Sequence, residues 1–172
     1  MRRGLVQLLR TLDYVSPDKK GGADMEQAVC PLTRGERILV AMDGSTYSDK
    51  ALEQALSMAR VCGSTLFAIT VMDVYPATLG SAPGLEEWLS KEAGRILEKA
   101  KNKAAENNIP CETIVHIGKH PYEFIVREAI ERDIDLIVMG THGRTGLKKL
   151  LLGSVAERVI GHAPCAVLVT PV

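Results

Sequence analysis

Residues 135–143 read Asp135-Leu136-Ile137-Val138-Met139-Gly140-Thr141-His142-Gly143, and nine residues later comes Gly153-Ser154. The run Leu136 to Met139 is short, apolar and unbroken, the pattern of a strand buried on both faces. Behind the loop, Val155, Ala156, Val159 and Ile160 recur at helical spacing. Strand, glycine-bearing loop and helix thus follow in order, one repeat of an α/β fold.

The same alternation extends outward in both directions. Upstream, Ile38 to Met42 is a buried-strand run closed by Asp43-Gly44-Ser45, and Leu52, Ala55, Leu56 and Ala59 give the face of a first helix. Leu66 to Met72 is a second strand, followed by a loop containing Pro76, Gly80, Pro83 and Gly84. A long helix then turns Leu89, Ala93, Ile96, Leu97, Ala100 and Ala104 inward, and Thr113 to Ile117 is a third strand. Pro121 suits the first turn of a further helix, with Ile125, Ala129 and Ile130 expected to face inward. Downstream, Ala166 to Val172 is the fifth strand. Apolar strands joined by helical crossovers predict an α/β, three-layer, doubly wound parallel sheet. Ligands in such sheets bind beyond the carboxyl ends of the strands, where the winding reverses.

Residues 1–34 read differently, as an N-terminal extension ahead of a domain at 35–172. Leu5, Leu8, Leu9 and Leu12 fit a short amphipathic helix, and Ser16-Pro17-Asp18-Lys19-Lys20-Gly21-Gly22 is a linker composition. Gln7, Arg10 and Asp13 interrupt the apolar stretch, which argues against a secretory signal, and membrane contact by this basic segment is a minor alternative.

The bulk composition excludes several classes. Apolar residues are 46% and aromatic residues 4%, so the core must be aliphatic. The 21 basic and 21 acidic residues cancel, which gives no footing for a nucleic-acid partner. The 4 cysteines, at 30, 62, 111 and 165, have no metal-ligand spacing and are expected to be reduced, buried thiols of a cytoplasmic protein.

Two strand ends carry the chemistry. Gly140 and Gly143 are expected to let the backbone approach a ligand and to aim N–H groups at an anion. Gly153-Ser154 opens the next helix, whose first N–H groups and positive dipole end favour phosphate. Plainer readings stand beside these. Two glycines after a strand make an ordinary turn. Ser154 and Glu157 form S-x-x-E, a capping box worth about 1 kcal/mol. Arg144, Lys148 and Lys149 either solubilise the loop or complement a polyphosphate, and Asp43 either caps the first helix or contacts a base.

The extended spacing Gly140-x-x-Gly143-x9-Gly153-Ser154 resembles the G-x-x-G-x9-G-[S/T] signature of the ATP-binding universal stress proteins. Ile38 to Ser45, Asp135 to Gly140 and Pro164 to Val169 are similar to the same family, over about residues 35 to 172. The resemblance implies an adenine nucleotide α-hydrolase-like sheet of five parallel strands in order 3-2-1-4-5, with ATP across the first and fourth strands. On it, Asp43 would bond the adenine or its sugar side, and Ala41, Met42 and the neighbouring Gly44 would frame the base. Val71 would pack on the adenine. Met139 and Gly140 would line the ribose and α-phosphate region, and Gly143, Arg144, Gly153, Ser154 and Val155 would hold the phosphates. Mg or Mn would be held mainly by phosphate oxygens. The last strand, Ala166 to Val172, would pair with a twofold mate in a homodimer. Two departures are visible: position 41 is Ala where some members have Pro, and residues 1–24 lie outside the family pattern, with Met25 an alternative start.

Other readings fall away. His116-Ile117-Gly118-Lys119-His120 carries one residue too many for the HIGH motif of nucleotidyl transferases, and Gly118 with Pro121 reads as a turn into a helix. There is no G-x-x-x-x-G-K-[S/T] and no G-x-G-x-x-G after the first strand. The function expected is an ATP-binding regulatory switch with at most slow hydrolysis. Its rivals are a nucleotide hydrolase or transferase that recruits His142 or Asp43, and an interaction module that binds no nucleotide.

Overall fold

The computed structural model describes residues 30–32, 34–75, 83–143 and 152–171. The expected N-terminal helix and linker, the loop positions Pro76 and Gly80, the basic residues Arg144, Lys148 and Lys149, and Val172 lie outside the described residues.

Among the described residues nine elements alternate: β1 (Arg37–Ala41), α1 (Thr46–Cys62), β2 (Thr65–Met72), α2 (Leu85–Glu106), β3 (Cys111–Ile117), α3 (Pro121–Glu131), β4 (Leu136–Gly140), α4 (Ser154–His162) and β5 (Ala166–Thr170). The strands form one sheet in the order β3-β2-β1-β4-β5, every neighbour parallel. This is the winding that the strand–helix alternation predicts and the order that the family resemblance implies.

Alternate strand residues feed opposite cores. Ile38, Val40, Leu66, Ala68, Leu136 and Val138 meet Leu52, Ala55 and Leu56 of α1 and Ile96, Leu97 and Ala100 of α2. Leu39, Phe67, Ile69, Ile137 and Met139 meet Ile125 and Ala129 of α3 and Ala156 and Val159 of α4 on the other face. The aliphatic core follows from the scarcity of aromatics: Phe67 is the one aromatic side chain among the buried hydrophobics described.

The expectation that Ile130 faces inward fails, and Ile160 is exposed for the same reason. Ile130 and Ile160 are 59% and 47% exposed. Each follows a buried residue, Ala129 or Val159, and one step carries it about 100° round the helix, toward solvent. The edge strands are also more open than the inner ones: Ala166 of β5 and Glu112, Thr113 and Val115 of β3 are exposed.

The cysteines divide. Cys30 and Cys62 are joined in a disulfide across the end of α1, with Cα atoms 4.7 Å apart, whereas Cys111 and Cys165 are free. The expectation of four reduced thiols is therefore corrected for the first pair. No spacing motif announces it, because the contact depends on the chain before β1 folding back over the α1–β2 turn. That fold-back is held by Thr65 N donating to Glu36 O at 2.8 Å and by Ser64 Oγ donating to Gly35 O.

Candidate functional site

β1 and β4 are neighbours, but their crossover helices α1 and α4 pack on opposite faces of the sheet. Their carboxyl ends therefore part, and a crevice of about 760 Å³ opens there. Its walls include Ala41, Met42 and Asp43 after β1, Val71 on β2, Met139 and Gly140 on β4, Gly143 in the following loop, and Gly153, Ser154 and Val155 at the start of α4. These residues are dispersed in sequence and meet through the winding reversal. Gly44 is not in the lining; it takes the left-handed conformation, φ 81°, that turns the chain from β1 into α1. Arg144 lies outside the described residues.

Asp43 does not cap α1. Ser45 does: its side chain accepts from Ser48 N at 3.2 Å. Asp43 Oδ1 instead accepts from Ser45 N at 3.0 Å and from Ser45 Oγ at 2.6 Å, so the carboxylate orients the cap. It is half-buried at the mouth of the crevice.

The glycines of the crevice also have close protein neighbours that the sequence does not show. Gly140, Gly143 and Gly153 do not have positive φ. A Cβ on Gly140 would lie 2.6 Å from Tyr47 Cβ and 2.9 Å from its carbonyl carbon, so this glycine admits α1 against the end of β4. A Cβ on Gly143 would stand 2.8 Å from Asp43 Oδ2, so the loop after β4 passes close to the carboxylate that follows β1. Gly153 N donates to Thr141 O at 2.7 Å, clamping the far end of the loop to its beginning. These approaches are to protein atoms, and sequence spacing alone does not distinguish them from approaches to a ligand.

The clamp also displaces the expected capping box. Gly153 holds the extended cap position (φ −72°, ψ 150°), α4 begins at Ser154, and no side chain among the described residues caps it. Ser154 is thus the first helical residue, and its exposed hydroxyl is not the cap the S-x-x-E pattern predicts. Glu157 N is the first amide to close an intrahelical bond, onto Gly153 O at 3.0 Å. The amides of Ser154, Val155 and Ala156 come before it, in the turn whose N–H groups a helix leaves without intrahelical partners. All three residues line the crevice.

The opposite wall is apolar and contains a backbone edge. β1 pairs with β2 as far as Ala41 opposite Ile69, and Met42 N donates to Ile69 O at 2.8 Å, whereas β2 continues to Met72. Because parallel ladders alternate their hydrogen-bonding side, the N–H and C=O of Val71 point the same way as those of Ile69, toward the gap that β1 leaves.

Several lining residues were not singled out from the sequence: Thr141, Ser48, Thr70, Met72, Val74, Trp88, Leu89 and Ile125. Tyr47 stands behind them, its ring centroid 5.2 Å from that of His142. His142 is half-buried, with Nδ1 3.1 Å from Thr141 Oγ1. Asp73 also borders the crevice, paired at 3.2 Å with Lys119. Among the described residues no group of three or more His, Cys, Asp or Glu is placed to hold a metal.

The fold, with its crevice at the winding reversal, defines the adenine nucleotide α-hydrolase-like class of α/β proteins. The model of the universal stress protein family matches residues 35–171. A universal stress protein of Methanocaldococcus jannaschii is 41% identical over 138 residues, covering 78% of this chain and 81% of the relative. The YxiE universal stress protein of Bacillus subtilis is 36% identical over 144 residues, covering 77% and 97%. The chain belongs to the universal stress protein family.

Solved structures agree. UspA of Lactobacillus plantarum superposes with a TM-score of 0.68 at 29% identity, over 79% of this chain and 97% of that one. A universal stress protein in complex with cAMP gives 0.60 at 26% identity, covering 79% and 96%. One from Archaeoglobus fulgidus in complex with dAMP gives 0.58 at 25% identity, covering 78% and 96%.

Proposed function

We propose that this protein is an ATP-binding regulatory switch, acting as a homodimer in the cytoplasm. The observation that carries this reading is the juxtaposition, in one crevice, of the leading turn of α4 with an apolar wall built on Ala41, Val71 and Met139. Phosphates suit the first feature, because the amides of Ser154, Val155 and Ala156 and the positive end of the helix dipole face them together. A base suits the second, its ring packed on Val71 and its hydrogen-bonding edge meeting the N–H and C=O of that residue. Asp43 then lies beside the base or its sugar, and Gly140, Gly143 and Gly153 position the backbone between the two ends. Relatives solved with cAMP and dAMP support an adenine nucleotide as the ligand class.

With no carboxylate cluster among the described residues, a divalent cation, Mg or Mn, would be held through the phosphates. The charge it supplies would offset that of the polyphosphate. The residues 144–151 between Gly143 and the clamp at Gly153 include Arg144, Lys148 and Lys149, cations suited to the far phosphates. Bound ATP would bias this segment and, through it, partner binding.

Dimerisation is assigned to β5. It is an edge strand with Ala166 exposed and Val167, Leu168 and Val169 half-buried, and pairing would satisfy its outward backbone groups.

Hydrolysis is a second reading, favoured by one observation: His142 is half-buried at the crevice, held by Thr141 and Tyr47. Two measurements decide. Mass spectrometry of the nucleotide released on denaturation should find ATP, and calorimetric titration of stripped protein should show ATP with magnesium binding more tightly than AMP. No released nucleotide and no binding heat would overturn the proposal. Multiple-turnover ADP release at about 1 s⁻¹ or faster would favour the hydrolase.

A further inference from the structure

The crevice makes no use of the bond between Cys30 and Cys62, which lies at the other end of α1. That helix begins beside the crevice, where Tyr47 meets Gly140 and Ser48 lines the wall, and runs 17 residues, about 25 Å, to Cys62. Cys30 precedes β1, so the bond closes a loop of sequence separation 32 around the β1–α1 unit.

The local structure is built around the sulfurs. A Cβ on Gly35 would lie 2.7 Å from Cys30 Sγ and 3.1 Å from Cys62 Sγ, so the strap returns across the bond at a position with no side chain. Leu32, within the strap, packs on the core beneath α1 and α2. Ser64 Oγ donates to Gly35 O just beyond the end of the helix. Both cysteines are only partly buried, so an external thiol or disulfide has access to the pair.

We propose that Cys30 and Cys62 are an exchangeable thiol–disulfide couple, set by small disulfides of the glutathione type, that fastens residues 30–36 to the end of α1. In the oxidising direction one cysteine thiolate attacks glutathione disulfide; a protein–glutathione mixed disulfide forms and one glutathione leaves as its thiolate. The second cysteine thiolate attacks the protein-side sulfur, the internal bond forms and the other glutathione leaves. Two protein thiols are oxidised while one glutathione disulfide is reduced to two thiols; excess glutathione reverses both steps. Cys111 and Cys165 are internal comparators: burial pushes both thiols above the ordinary cysteine value, which keeps them protonated and slow to exchange.

The test uses the full chain, reduced, desalted and equilibrated in glutathione buffers of graded ratio, then acid-quenched, labelled with a maleimide under denaturing conditions and weighed intact. The expected result is that two thiols disappear and return together, that peptide mapping joins Cys30 to Cys62, and that Cys111 and Cys165 are labelled throughout. In urea the oxidised protein should have a folding equilibrium constant larger by roughly two to three orders of magnitude, the scale set by closing a loop of this length. Cys30→Ser should lack that gain, and ATP affinity should be the same in both redox states. The proposal is overturned by four labelled thiols at every ratio, by oxidation that stops at a glutathione adduct, by a bond that glutathione does not reopen, or by a bond that leaves the urea midpoint unmoved.

Discussion

Replacing Ser154 with Asp separates the needs of the helix from those of a ligand. Ser154 is the first residue of α4, exposed, and not its cap. A carboxylate there faces the positive end of the helix dipole and should stabilise the folded protein by about 0.3–1 kcal/mol. For a phosphate resting on the same amides the sign reverses. A unit charge about 5 Å from a phosphate charge costs roughly 3 kcal/mol at an effective dielectric of 20, and the exchange also removes a hydroxyl donor. Discounting for solvent at an exposed position leaves about 2–3 kcal/mol, a loss of roughly 30- to 150-fold in ATP affinity. The assay is calorimetric titration of Ser154→Asp with ATP and, separately, with adenosine, beside a urea melt. Affinity for ATP should fall, affinity for adenosine should hold and the melt should stay level or rise. Undiminished ATP binding by the folded variant would refute the assignment of phosphates to α4, and equal losses for ATP and adenosine would mean that the substitution distorts the whole site.

Gly140→Val should cost about 1–3 kcal/mol of stability in a denaturant melt, because its Cβ meets Tyr47 at 2.6 Å, so any lost binding there reports a displaced α1. Glu128, 5% exposed, accepts from His116 Nε2 at 2.7 Å and Arg132 Nε at 2.6 Å. Burial, the largest influence, pushes its carboxyl up, but the hydrogen bonds and charges of Arg132 and His116 outweigh it and hold the value below the ordinary 4.5. A depressed carboxyl adds stability that is complete above the unfolded value and is lost as pH falls through the folded one. Glu128→Gln should therefore cost about 2 kcal/mol in urea melts at pH 7, with the gap to the parent protein narrowing below pH 4.5. Ala166→Lys adds a charge to the exposed start of β5 and should shift the protein toward monomer in light scattering, with stability changed by no more than about 0.5 kcal/mol.

The parallel, doubly wound sheet was legible because each inner strand is a plain apolar run and each crossover a plain amphipathic helix, whereas the strand order came from the family resemblance; Leu136 to Met139 and the Leu52–Ala59 face needed no tertiary information. What escaped depends on contacts between distant segments. Gly140 lines the crevice, and its close approach to Tyr47 is not visible in the sequence. Ser154 looks like a cap until Thr141 O takes the amide of Gly153 and moves the cap back by one residue. The Cys30–Cys62 bond joins residues with no motif between them. Trp88 and Leu89 reach the crevice from α2, a helix whose pattern reports only which side faces the core.

The turn at Asp43 bears on the direction in which the proposed nucleotide would enter. Two helices begin at the crevice, α1 and α4, and by dipole alone each start would attract an anion. They are finished differently. At α1 the Ser45 hydroxyl occupies the Ser48 amide and the Asp43 carboxylate stands next to it, so that start is already answered by a negative charge. At α4 no side chain among the described residues does so. In the proposed binding mode, a ligand with an anionic tail and a neutral head would therefore favour one orientation, its tail toward α4. Reversing the ligand would set phosphate against carboxylate, a penalty of roughly 4 kcal/mol at 4 Å and a dielectric of 20, about a thousandfold in favour of the forward orientation.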